Sequence, residues 1–373
     1  MQSDSIVYKF YYQWWKNIDK SIFLLISLLF VIGLFFSLVS TSLIASDKLD
    51  TNSYFFFFKH LIYVLIGISL IFIFSSLNSD QLYKYSIILF FVSLISLFLV
   101  PFIGVEVKGS KRWIDLFFLP RFQPIEVLKP FLIIILATIL CDIKSNILFK
   151  YLISIFLISF ISLLLIAQPD IGQTLLVVFC WAVLIFTSGI NIYILLAIFI
   201  AGSSLLTYLI IYVPRFDYIQ GRIFSFFNRE TGTHNFQSDK AIESITSGGF
   251  FGKGIGEGVL KNRVPEAHTD YIISVISEEF GVVAIILILL LFLILIYMVF
   301  KKISFETNDK AKLILIGSIS LILMQATIHV GVNIRLFPTT GMTLPFLSYG
   351  GSSIISTSIL AGIILNLTKR KIT

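Results

Sequence analysis

Charge is scarce in this chain. Only 13% of its 373 residues are charged and 57% are hydrophobic, too little charge to keep a domain of this length in water. Cysteine is nearly missing too. Cys141 and Cys180 are the only two, both in or beside apolar runs, so a disulfide framework is excluded and both are expected to pack between helices. A nucleotide loop is also lacking: the glycines from Gly248 to Gly258 have no Gly-Lys-Ser/Thr ending and no preceding strand. The net charge of +7 is therefore expected to record topology, with basic residues flanking membrane helices. No nucleic-acid partner is expected.

What the chain has instead is long apolar runs. Spans of about 20 residues fit at 21–44, 55–77, 83–103, 125–142, 150–167, 171–189, 191–213, 271–300, 312–335 and 349–368. The first is too long for a signal-peptide core. The expectation is an all-α integral membrane protein, a single polytopic domain over 1–373 with about ten transmembrane helices. Residues 1–20 form a cytoplasmic N-terminus, 214–270 a long extracytoplasmic loop between helices 7 and 8, and 369–373 a cytoplasmic C-terminus.

Lysine and arginine set the orientation. With the N-terminus inside, the inner side carries Lys9, Lys16, Lys20, Lys84, Lys144, Lys150, Lys301, Lys302, Lys310, Lys312, Lys369, Arg370 and Lys371. The outer short loops carry only Lys48, Lys108, Lys111, Arg112, Arg121 and Arg335, so both termini are expected inside. Loop 104–122 holds four of those outer cations, against the topological bias, and an anionic ligand is a natural reason; anchoring at lipid headgroups is the plainer one. The polar, glycine- or proline-marked segments 104–130, 168–174, 214–270 and 335–353 all fall outside. Synthesis there has no access to ATP and must use a pre-activated substrate.

Two polar groupings fall at membrane depth. Glu126 and Lys129, three residues apart, share a helix face and form either a structural ion pair or part of a substrate cavity. Gln325, His329 and Asn333 make one stripe on the ninth span, for which interhelical hydrogen bonding is the commoner reason and ligand contact the rarer.

Along the loops the motifs run in order: Gly109-Ser-Lys-Arg-Trp-Ile, Phe122-Gln-Pro-Ile-Glu-Val-Leu-Lys129, Gln168-Pro-Asp-Ile-Gly172, Gln237-Ser, Ser247-Gly-Gly, Gly252-Lys-Gly-Ile-Gly-Glu-Gly258, Pro265-Glu-Ala-His-Thr-Asp270, Glu278-Glu-Phe-Gly281 and Pro338-Thr-Thr-Gly-Met-Thr-Leu-Pro-Phe-Leu-Ser-Tyr-Gly-Gly-Ser-Ser353. This ordered set resembles the SEDS family (shape, elongation, division and sporulation), the FtsW and RodA proteins, over nearly the whole chain. The forms at 265–270 and 343–346 look more like FtsW. Thr340 stands where FtsW proteins often have lysine, and Ile125 where a serine is common.

The resemblance implies a peptidoglycan glycosyltransferase of the bacterial cytoplasmic membrane that polymerises lipid II at its outer face, for septal wall synthesis in cell division. It also implies a class B penicillin-binding protein as partner, with other divisome proteins and membrane lipid around it. Such a step needs a base on the acceptor hydroxyl and positive charge near the departing diphosphate.

Asp270, where the long loop meets the eighth span, is the candidate base, and the resemblance makes it the catalytic aspartate; an N-cap role for that helix also fits its position. Arg112 is the first candidate for a diphosphate contact, since its fork matches phosphate oxygens, with Lys108, Lys111 and Arg222 behind it. Glu266 and His268 either position the acceptor or a divalent cation or simply frame the loop. Gln237 and Ser238 shape the acceptor site or a turn. No cofactor is required by the motifs. The alternatives are a lipid II flippase, which Glu126 and Lys129 would suit, and a scaffold that only recruits the partner.

Overall fold

The computed structural model describes residues 2–41, 54–107, 110–116, 119–142, 147–228 and 236–369. The ten apolar runs become ten helices: α2 (Lys20–Thr41), α3 (Phe55–Ser76), α4 (Ser79–Ile103), α5 (Pro124–Asp142), α6 (Ile147–Ala167), α7 (Ile171–Thr187), α8 (Ile192–Tyr212), α11 (Ile272–Phe305), α12 (Asp309–Asn333) and α13 (Gly351–Leu367). Eight are long and apolar enough to cross a membrane. The other two, α7 and α13, have 17 residues each, about 26 Å of helix at 1.5 Å per residue. Inside the long loop lie α9 (Asp217–Asn228) and α10 (Phe236–Gly248). Backbone groups have no water to bond in a bilayer, so each apolar run must close its own hydrogen bonds as a helix.

Two elements depart from the sequence expectation. Residues Gln2–Asn17 form a helix, α1, because Tyr8, Tyr11, Tyr12 and Trp15 recur at three- and four-residue spacing and give it one aromatic face. Loop 104–122 folds as a small antiparallel sheet, order β1-β2-β3, of Val105–Val107, Ser110–Leu116 and Leu119–Phe122. Its pairing of Glu106 with Lys111 and Ile114 with Phe122 follows the two-residue alternation of VEV and KRWID. Helices form the whole of the bundle; strands occur only in this loop among the described residues.

The centre of the bundle is α5, α12 and α13, each buried along much of its length. α8 stands at the edge, with Leu195 its one buried residue.

At the loop-bearing end, α10 crosses the start of α11 at backbone contact. A Cβ on Gly248 would lie 1.9 Å from the carbonyl oxygen of Ser277, so no other residue fits there. Gly281 (φ 77°) breaks α11 where it meets the Phe250 carbonyl, in a region only glycine enters freely.

The loop before α11 is clamped by two buried carboxylates. Glu278 accepts from the backbone N–H of Leu260 at 2.9 Å and of Lys261 at 2.6 Å, and from the Ser244 hydroxyl at 2.9 Å. Glu279 pairs with the ammonium of Lys261 and accepts from the Gly256 N–H. All three side chains are out of solvent.

Removing one partner of such a pair leaves an uncompensated buried charge. Lys261→Met should cost on the order of 3–5 kcal/mol. The double variant Lys261→Met/Glu279→Gln should recover most of it, measured by thermal unfolding of the detergent-purified protein; a single variant as stable as wild type would show that the pair does not hold the loop.

Candidate active site

The loop-bearing end draws four of the sequence motifs into one cluster. The turn that presents Asp270 is built by Glu266: its carbonyl accepts from the N–H of Thr269, Asp270 and Tyr271 at 3.1–3.2 Å, and its carboxylate accepts from the Thr269 hydroxyl at 3.2 Å. Glu266 adopts φ 56°, a left-handed conformation that costs a non-glycine residue on the order of 1 kcal/mol and persists because its neighbours enforce it. Glu266 is therefore a frame for the turn. The N-cap of α11 is Tyr271, with no side-chain cap, so the capping role expected of Asp270 is not the one it has.

Asp270 is half-buried and held from behind. The Asn333 amide donates to the Asp270 carbonyl at 3.0 Å and to the His329 carbonyl at 2.9 Å. Across from the carboxylate lies the strap between α12 and α13: a Cβ on Gly341 would sit 3.4 Å from Asp270 Oδ2.

His268, two residues earlier, is enclosed by aromatic rings, 4.7 Å from Phe56 and 5.7 Å from Tyr349 between centroids. The Tyr349 N–H donates to the His268 carbonyl at 3.1 Å. His268 packs the turn against α3 and the strap.

The strap also meets the Gln168–Gly172 turn, since a Cβ on Gly172 would lie 2.9 Å from Thr340 Cβ. Arg112 staples that turn: its Nε donates to the Gln168 carbonyl at 3.2 Å, its Nη2 to the Pro169 carbonyl, and its Nη1 lies 3.7 Å from Asp170. Asp170 in turn accepts from Gln123 at 2.9 Å. Arg112 and Asp270 thus belong to one continuous cluster, although the Arg112 fork is filled by protein acceptors. Lys111, on β2, is exposed and makes no ion pair among the described residues.

Of the remaining candidates, Ser238 is buried and Gln237 half-buried at the start of α10, next to Asp239, which pairs with Arg335. Lys108 lies outside the described residues, and so does the side chain of Arg222 on α9. Among the described residues no three His, Cys, Asp or Glu side chains come together as a metal-ligand set.

Glu126 and Lys129 pair at 2.8 Å deep in the bundle. Gln173 donates to Glu126 at 2.6 Å and accepts from Lys129 at 3.1 Å, and Gln325 accepts from Lys129 at 3.3 Å. Gln325 then donates to the Thr343 carbonyl at 3.1 Å, and one turn further along the same stripe His329 meets the Met342 carbonyl at 2.7 Å. The cavity beside Lys129 is about 10 Å³, at most one water. The pair is a clamp behind the strap, held by Gln173 and Gln325.

Sequence reading missed Asp170, Gln173, Gln123 and Lys261 as parts of this frame. They stand in or beside the polar segments already singled out, but which partner each takes is a matter of tertiary contact.

Ten apolar helices with a single loop-built acidic cluster at one end define a polytopic membrane protein. The family model described as cell cycle protein, for FtsW, RodA and SpoVE, matches residues 19–372, and the chain belongs to that family. A probable peptidoglycan glycosyltransferase FtsW of Caulobacter vibrioides is 30% identical over 96% of this chain and 91% of its own length. One of Coxiella burnetii is 33% identical over 88% and 90%. Among solved structures, a chain from work on the structural coordination of polymerization and crosslinking by a peptidoglycan synthase complex superposes with TM-score 0.77 at 25% identity, covering 94% of this chain and 97% of that one. The rod shape determining protein RodA of Thermus thermophilus gives TM-score 0.69 at 26% identity, over 94% and 96%.

Asn333→Ala should free the Asp270 turn. Losing about 1.4 kcal/mol at this buried bond gives roughly tenfold faster amide exchange at 269–271, read by hydrogen–deuterium exchange; unchanged exchange would mean that Asn333 does not tether it.

Proposed function

We infer that the chain is a peptidoglycan glycosyltransferase that polymerises lipid II at the outer face of the bacterial cytoplasmic membrane for septal wall synthesis. The observation that carries the site is the Asp270 carboxylate, presented by a braced turn opposite Gly341 at the loop-bearing end of the bundle. The FtsW relatives carry the septal assignment, and the bias of lysine and arginine supports both termini inside.

The acceptor hydroxyl gives its proton to Asp270 as its oxygen attacks C1 of the donor sugar. The C1–O bond to the diphosphate breaks, and the pair of electrons leaves with the diphosphate lipid. Attack opposite the leaving group inverts the α-linked donor into a β-1,4 bond in one displacement. Positive charge near the diphosphate stabilises it as it departs. Lys111 supplies that charge from its exposed strand, Arg112 holds the 168–170 turn, and Glu266 and His268 hold Asp270 in place.

A class B penicillin-binding protein crosslinks the product, with other divisome proteins assembled around the pair. The polymerization and crosslinking complex among the structural neighbours supports that pairing. A flippase would use Glu126 and Lys129 as a path, and their sealed surroundings speak against it.

In detergent, where flipping has no meaning, the purified protein with its partner should turn lipid II into glycan chains. Asp270→Asn should lower that activity at least about a thousandfold, in line with loss of a general base and its positioning, while inserting and folding normally. An Asn variant as active as wild type removes the assignment, and a wild type that makes no chains in the presence of its partner removes the activity.

A further inference from the structure

A second feature of the bundle lies away from Asp270, a cavity lined by none of the residues around the Asp270 turn. It lies at the opposite, terminal end of the bundle, has a volume of about 500 Å³, and opens between α1, α2 and α3. Its walls are Tyr11, Trp14, Trp15 and Phe23 on one side and the Ile68–Ile73 stretch of α3 on the other.

The groove is preformed. The Trp14 indole donates to the Ser75 hydroxyl at 2.8 Å in a buried bond, and its ring meets Phe72 edge-on at 4.9 Å and Phe23 at 5.8 Å. These contacts fix α1 against the end of α3 whatever lies in the groove. The stretch of α3 that lines the groove, Ile68 to Ile73, is about 7.5 Å long, roughly half the depth of one leaflet's acyl chains. Such a volume is ample for a ligand, since binding pockets run from roughly 300 to 1,000 Å³.

The rim carries one cation. Lys20 is exposed and makes no ion pair among the described residues. Lys20 lies over the Trp15 ring at 5.4 Å. The nearest carboxylate in sequence, Asp19, is committed to Lys302 at 2.6 Å. An apolar slot with an ammonium group over one of its aromatic walls, rings of interfacial type, matches one molecule with an acyl chain and an anionic headgroup.

We propose that this groove is a binding site for an anionic phospholipid of the leaflet that faces the chain termini, the upper part of its acyl chain between Trp15 and Ile68–Ile73 and its phosphate at Lys20. The site is independent of the polymerase chemistry, and it rests on the proposed orientation only in naming that leaflet the inner one.

The test uses the full chain in nanodiscs of phosphatidylcholine carrying a tenth of either phosphatidylglycerol or phosphatidylcholine with brominated acyl chains. Brominated phosphatidylglycerol should quench tryptophan emission clearly more than the brominated neutral lipid. In detergent, native mass spectrometry should show phosphatidylglycerol retained roughly fivefold over phosphatidylcholine, the scale expected of one lysine at a lipid surface. Lys20→Gln should bring the two lipids level, and Ser69→Trp, which fills the groove, should lower retention of both. Equal quenching by the two brominated lipids, or a phosphatidylglycerol preference unchanged in Lys20→Gln, overturns the proposal. So does a groove that retains neither lipid, the result expected if it seats a partner's helix.

Discussion

An ammonium group cannot sit inside a lipid-embedded bundle without partners, and Lys129 shows how far that constraint reaches. Its charge is met by Glu126 one turn away, then by the amides of Gln173 on α7 and Gln325 on α12. Each of those amides must satisfy its other atoms, so Gln325 bonds the Thr343 carbonyl and the Ser353 hydroxyl. Thr343 bonds Ser353 in turn at 2.7 Å. One buried charge therefore fixes three helices and the strap between α12 and α13. Leaving any member unpaired costs more than the network gains by forming, and the geometry behind the active site is rigid for that reason.

The chemistry sits on the outer edge of that frame. Asn333, the last member of the same polar stripe, reaches the backbone of Asp270, while Gly341 of the strap stands opposite its carboxylate. The aspartate is placed by main-chain bonds from Glu266 and from Asn333, which leaves its side chain aimed by the turn. A second carboxylate pair, Glu278 and Glu279, gathers the glycine-rich segment against α11 through backbone N–H groups and Lys261. The Glu126–Lys129 pair and the two carboxylates on α11 each tie a loop to the helices through named bonds.

Much of this was legible in the sequence. Ten apolar runs gave ten helices, because a bilayer leaves a run of that length one way to satisfy its backbone. The loops gathered at one end of the bundle were recognisable from their glycines and prolines. Three things were not legible. Residues Gln2–Asn17 are too polar on average to register as a span, and only their aromatic spacing betrays a helix lying at a surface. The 105–122 sheet rests on runs of three to seven residues, too short for alternation to be decisive. Arg112 has the side chain of a phosphate ligand, yet its donors go to the carbonyls of Gln168 and Pro169, a choice set by a turn 56 residues away in sequence.

The account stands on one spatial claim, that the cationic sheet and the catalytic turn share the outer face while the basic ends of the helices lie on the other. A membrane-impermeant maleimide applied to intact cells tests it directly, in a background with Cys141 and Cys180 replaced by serine or alanine. Lys111→Cys and Glu257→Cys should both label from outside, and Lys312→Cys only after the cells are opened. Labelling that puts residues 111 and 257 on opposite faces would contradict the structure, and labelling of residue 312 alone from outside would contradict the orientation.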